Sequence, residues 1–184
     1  LFSVFIHVGK LTGAAAQIAS QIGSSGVWDG SIAVKSGEAI ADDSERPNFD
    51  YSLFDGSKKL TGFANLNSYA EADIWKPWTA DILEYLPSNL RSEYEAKFLS
   101  IASPIGGKID WDQKGTAQGN WFVENTNGAQ GLGTMSAAYD NHGKIAHGYW
   151  DTHLAIAPDA VDRNSTVFSI GDWEGCPCQF ISKN

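Results

Sequence analysis

Apolar and polar positions alternate from the first residue. Phe2, Val4, Ile6 and Val8 fall on one side of an extended chain, and Ser3, Phe5 and His7 on the other. A period of two predicts a strand, half-buried or better. After Gly9 the period changes. Leu11, Ala15, Ile18, Ala19 and Ile22 recur at helical spacing, Ala14 to Ala16 favour helix, and Gly23 supplies a stop. These predict a short helix over residues 11–22. The run SIAVKSG, within Val27–Ala41 and preceded by Asp29-Gly30, reads as a strand, and DDSERPN (42–48) reads as a charged loop. FDYSLF (49–54), Asp55-Gly56 and SKKLTGF (57–63) have the form of a β-hairpin, because Asp-Gly between strand-like runs favours a tight turn. ANLNSYAEADIWKPW reads as strand and then irregular chain.

A helical period returns near residue 79. Thr79 is placed to cap a helix carrying Ile82, Leu83 and Leu86. After Pro87, Ser88 is placed to cap a second one with Leu90, Tyr94, Phe98 and Ile101 on one stripe. Arg91, Glu93, Glu95 and Lys97 give that pair a solvated outer face, and the inner face is expected to lie against the sheet. From Lys108 onward the chain is β-rich. KIDWDQ, GNWFVEN, KIAHGYW, HLAIA, STVFSIG and CQFIS read as strands, with turns at KGTAQ and Asn127-Gly128 and a Gly-rich loop at 129–143. The sequence therefore predicts a single domain over 1–184. Its fold is mainly β, an antiparallel barrel or sandwich, with a short N-terminal helix and a helical pair near 79–102.

Composition narrows the function classes. With 19% charged and 12% aromatic residues the chain is expected to fold. A net charge of −9 repels phosphate backbones and anionic membrane surfaces, so nucleic acid is excluded as a partner. The same charge is compatible with cations, metal ions and neutral ligands. No apolar run is long enough for a membrane span. LFSVFIHVG lacks the basic start and small-residue cleavage site of a signal peptide, and a chain starting at Leu1 reads as a mature product or a fragment. Cys176 and Cys178 flank Pro177. A disulfide across one residue is strained, so the expectation is two free or packed thiols. Oligomeric state is not encoded in any of these features.

Candidate chemistry gathers near the C-terminus. If residues 144–150 continue as a strand, then His147, Tyr149, Asp151 and His153 share one face, opposite Ala146, Trp150, Leu154 and Ile156. Two imidazoles and a carboxylate are a donor set for a divalent metal such as zinc or iron, with His142 nearby. A fully extended strand separates His147 and His153 by roughly 20 Å, so joint ligation needs a bend. HExxH is absent. Asp110 and Asp112, with Glu124 on a neighbouring segment, form a second candidate, a carboxylate pair for acid–base catalysis. The plainer reading makes them the wet side of an antiparallel sheet. No serine sits in a GxSxG elbow. Asn164-Ser165-Thr166 has the form of an N-glycosylation sequon.

Tryptophan is the outlier, seven in 184 residues. Aromatic faces stack on sugars and line ligand pockets, and equally fill cores. Trp111, Trp121, Tyr149 and Trp150 are the candidate ligand-binding rings. GTAQGNWF (115–122), HLAIAPDAVD (153–162) and VFSIG (167–171) together resemble a group of exported bacterial proteins that share a GTxQGxWF block, an HLA block and an SIG end. The likeness covers the last third to two-fifths of the chain. It implies a periplasmic or extracellular location and carries no established reaction. The leading expectation is a non-catalytic small-ligand binding domain, for a carbohydrate or another small organic molecule. A metal-dependent hydrolase using His147, Asp151 and His153 is one alternative, and a structural or interaction module is another.

Overall fold

More residues lie in strands than in helices in a computed structural model that describes residues 1–24, 26–43, 49–69, 73–100, 103–131, 149–173 and 176–183. The chain divides into two units, residues 1–53 and 54–184.

Two short ladders form in the first unit. β1 (Phe2–Ile6) pairs with β4 (Asp50–Phe54), and β2 (Lys10–Leu11) pairs antiparallel with β3 (Ala41–Asp42). β1 is the strand that alternation predicts, but all five of its residues are exposed rather than half-buried. A ladder of two strands offers few neighbours to cover a side chain. Phe5 packs on Tyr51 of β4 with ring centroids 4.9 Å apart, and Ser3 shares a hydrogen bond with the Tyr51 hydroxyl. The N-terminal helix is present but short: a 3-10 turn at Gly13–Ala15 runs into α1 (Ala16–Ala19). Its start is held by the Glu38 carboxylate, which accepts from Ala14 N and from Lys35 N. The N–H groups of Lys35 and then Ala14 keep the Glu38 carboxyl below its usual range. With the Lys35 N–H so engaged, SIAVKSG does not form the expected strand, and only Ala41–Asp42 of that region joins a ladder.

The predicted hairpin at Asp55-Gly56 is likewise corrected. The turn is there, with Lys58 N donating to Asp55 O, but 57–63 contains no strand. Asp55 keeps its turn through its side chain, accepting from Ser57 N at 2.8 Å and Ser57 Oγ at 2.6 Å. Phe54 bridges to Thr79, and Leu60 N donates to Pro77 O. Tyr85 also donates its hydroxyl to Asp55. The Ser57 hydroxyl first, then Tyr85, hold the Asp55 carboxyl down at about 2. A depressed carboxyl contributes stability above its unfolded value, and that contribution is lost as pH falls through the folded one. The stability difference between the protein and its Asp55→Asn variant, read from urea denaturation midpoints, is therefore expected to close as pH falls from about 4 to about 2. A difference that stays constant through that window would show that the Asp55 contacts are not formed in solution.

The helical pair is smaller than its pattern implies. Asp81, not Thr79, caps the first segment by accepting from Leu83 N, and that segment is a 3-10 turn at Ile82–Glu84. Among the described residues Leu83 is the most deeply buried side chain, at 1% exposure. α2 (Ser88–Glu95) starts from Pro87 rather than from a Ser88 cap. Its charged residues lie on a solvated face as expected, and they form i,i+4 pairs there, Arg91 with Glu95 and, just past the end of α2, Lys97 with Glu93. No residue of α2 is buried, and it packs chiefly on the preceding 3-10 turn, so it does not cover the sheet as expected. Residues 101–102 lie outside the described residues. No described helix is long and apolar enough to cross a membrane.

Four strands form one antiparallel sheet in sequence order: β5 (Gly119–Phe122), β6 (His153–Pro158), β7 (Ser165–Trp173) and β8 (Cys176–Lys183). Asp159 accepts from Val161 N and Asp162 N, and Asp162 from Asn164 N and Ser165 Oγ, which shapes the turn joining β6 to β7. Among the described residues no sheet closes into a barrel. Cys178 is disulfide-bonded, which corrects the expectation of free or packed thiols. The chain has one other cysteine, Cys176.

KIDWDQ is not a strand. Its aspartates serve as clasps instead of forming a wet sheet face. Asp110, only 6% exposed, accepts from Gly62 N at 2.8 Å. Asp112 accepts from Ala64 N, from Asn120 N and from Asn120 Nδ2, each at 2.8–2.9 Å. Gly62 is needed here, since a Cβ would collide with Asp110. The clasps bring residues 60–66 against β5, where Phe63, Tyr69 and Ala129 form a small core with Leu60, Leu66 and Phe122. ANLNSYAEADIWKPW supplies 3-10 turns at Leu66–Tyr69 and Lys76–Trp78 in place of the expected strand.

Candidate functional site

The register of the sheet builds the floor of a cleft. Asn120 stands opposite Ala155, Ala155 opposite Ser169, and Ser169 opposite Gln179, so four strands contribute one row of small and polar side chains. Next to it on β5 and β6, Phe122 stands opposite His153. Their rings meet edge to face with centroids 4.9 Å apart. Phe122 meets Tyr69 the same way at 5.5 Å, and Tyr69 packs on Phe63 at 5.0 Å. This relay of rings joins the core to one end of the row.

Trp150 supplies a wall. It lies in the 3-10 turn Tyr149–Thr152, whose chain presses on β7 at Gly171. The Trp150 carbonyl oxygen occupies the place where a Gly171 Cβ would stand. On the opposite chain segment Asp73 and Lys76 form an ion pair at 3.0 Å. Together these elements enclose a cleft of about 950 Å³ lined by Trp121, Trp150, His153, Gln130, Ser169 and Gln179 among others. Trp121 is 48% exposed, and its indole N–H is fixed on the Ala117 carbonyl at 2.8 Å.

The electrostatics are quiet. Burial pushes the His153 imidazole below its ordinary range, partly offset by hydrogen bonding with the backbone of Gly128 and Ala129. Burial pushes the Tyr69 phenol above its ordinary range, with Asp112 and Asp73 adding to it. Both groups are thus neutral near pH 7, and among the described residues the cation and the carboxylate on the rim, Lys76 and Asp73, pair with each other. The cleft offers rings, amides and a hydroxyl, the chemistry that recognises an uncharged polar ligand.

Of the ligand-binding rings read from sequence, Trp121 and Trp150 line the cleft. Trp111 does not. It lies beside Lys108 Nζ and the Arg163 guanidinium, 5.1 and 5.0 Å from the ring centroid. Tyr149 opens the 3-10 turn, and its side chain lies outside the described residues. The metal triad fares differently. The turn Tyr149–Thr152 replaces the strand that was to align Tyr149, Asp151 and His153, so alternation does not put them on one face. His142 and His147 lie outside the described residues. Among those described, no three of His, Cys, Asp and Glu form a metal-binding group. Glu124 is exposed beyond the end of β5, away from the Asp110 and Asp112 clasps in role.

Sequence reading missed Ser169, Gln179 and Gln130. The first two alternate with apolar residues in VFSIG and CQFIS, a signal that becomes a site only once the register aligns the strands. No family model matches the chain, and no curated protein or solved structure matches it either.

Proposed function

We propose that this protein binds an uncharged small ligand in the cleft without transforming it, and that the ligand is a carbohydrate. The observation that carries the reading is the pairing of Trp121 and Trp150 with the row Asn120, Ser169 and Gln179 in one cleft. Sugars present apolar ring faces and polar edges, so an aromatic wall over amides and hydroxyls satisfies both. Neutral His153 and the self-paired Asp73 and Lys76 leave the described lining of the cleft with no strong charge to favour an ionic ligand. The bonded state of Cys178 supports export, because disulfides persist in oxidising compartments. The resemblance of the GTAQGNWF, HLA and SIG blocks to exported bacterial proteins points the same way.

Titration with a panel of mono- and oligosaccharides, followed by tryptophan fluorescence, tests this. A saturable change is expected with at least one sugar series. Trp150→Ala weakens that binding by about 30-fold, the usual effect of removing a buried tryptophan anchor. Trp111→Phe, outside the lining of the cleft, leaves it unchanged. A flat response to every sugar, or equal losses in both variants, would reject the reading.

A further inference from the structure

We propose that the ligand is an extended, neutral oligosaccharide that passes from the cleft over Trp121 into a second cavity on the far side of β5. The inference rests on the carbohydrate reading above and specifies its ligand. The second cavity measures about 500 Å³ and is built by the loops on either side of β5, residues 112–119 and 123–128, together with Ala64, Asn65 and Ser68. Asn120, Trp121 and Phe122 line both cavities, so one strand is their common wall. Trp121 stands at that divide, half exposed, with its ring held by the bond to Ala117. A fixed, half-exposed indole between two hollows of mixed polar and apolar lining is a stacking platform for the middle of a chain rather than the lid of a closed pocket.

Size agrees. The first cleft alone lies near the top of the range that holds a drug-sized molecule, and one sugar ring would leave most of it to water. The chemistry of the second cavity continues that of the first: Asn65, Ser68, Gln113, Thr116 and Asn125 offer amides and hydroxyls. Its charges are Lys114 and Glu124, of opposite sign, and Asp112, whose carboxylate already serves Ala64 and Asn120. Among the described residues each cavity holds one lysine, Lys76 or Lys114, matched by at least one carboxylate in the lining, and the whole chain carries −9, so a uronate or sulfated chain is disfavoured. Adjacent subsites joined by one ligand add their contributions without a second loss of translational freedom, which gives such sites a steep dependence on chain length.

The test is calorimetric titration of the full chain with glucose and N-acetylglucosamine oligomers, from monosaccharide to hexasaccharide, and with a uronate oligomer of equal length. In one neutral series the affinity is expected to climb about tenfold or more between disaccharide and hexasaccharide, and the uronate chain to bind more weakly. Gln113→Trp, which fills the second cavity from an exposed position, is expected to reduce hexasaccharide affinity to that of the disaccharide while disaccharide binding stays as it was. A disaccharide as tight as the hexasaccharide overturns the extended ligand and leaves the single-cleft reading standing. A tighter uronate chain overturns its neutrality. Full hexasaccharide affinity in a folded Gln113→Trp variant overturns the second cavity as the path. Failure of every sugar to bind removes the carbohydrate reading and this inference with it. The length series on the unaltered chain decides the matter even if Gln113→Trp does not fold.

Discussion

Gly171→Ala is expected to abolish ligand uptake in the cleft and to lower the stability of residues 54–184 by about 3 kcal/mol, the scale of a severe overpacking error. The argument is steric. A Cβ at Gly171 meets the Trp150 carbonyl oxygen and, behind it, the start of Asp151, all of it backbone. No side-chain rotation relieves that contact. Either β7 bends away or the turn Tyr149–Thr152 lifts, and both move Trp150 relative to Ser169 and Gln179. Trp150→Ala removes one ring but leaves the turn seated, so the alanine at Gly171 is expected to do more harm than the alanine at Trp150. Sugar titration and urea denaturation of the two variants side by side check this order. Wild-type binding by Gly171→Ala would mean that the turn is not packed on β7 as described.

Asp112→Ala is expected to cost about 2–4 kcal/mol, because one carboxylate satisfies three N–H donors and hydrogen bonds to charged groups are the strong ones. Removing it leaves Ala64 N, Asn120 N and Asn120 Nδ2 to find other acceptors in a partly buried place. Asp112→Asn retains one acceptor oxygen and is expected to lose about half as much. Denaturant midpoints for the three proteins measure the series. A loss below about 0.5 kcal/mol for the alanine, typical of an exposed surface change, would show the clasp to be incidental.

These clasps also explain how far the sequence could be read. The C-terminal strands were legible because each carries its own alternation, and because Gly, Asn and Asp mark the turns between them. GNWF, HLAIA, STVFSIG and CQFIS all join one antiparallel sheet. KIDWDQ carries the same alternation and forms no strand. Its polar positions read as solvent-facing ones, whereas Asp110 and Asp112 accept from backbone N–H groups 48 residues away. Alternation reports that a residue is polar, not whom it bonds. SKKLTGF failed similarly, since Asp55 closes its own turn with Ser57 and Tyr85 rather than pairing two strands. For the site, Trp121 and Trp150 stood out by residue type alone. The Asp73 and Lys76 pair and the Ser169–Gln179 row depend on packing and register, which single residues do not announce.

The reach of the aspartate clasps bears on how the chain tolerates growth. Tethers at Gly62 and Ala64 on one side and at Asp110 and Asp112 on the other make the intervening span a closed loop. Loop closure grows only logarithmically with length, by about 0.6 kcal/mol for each doubling. Gly107, whose Cβ direction is open, lies just before the second tether. Added residues there would enlarge the loop at small entropic cost while both anchor points stayed in place, so the architecture admits an insertion, or a whole inserted module, at that point.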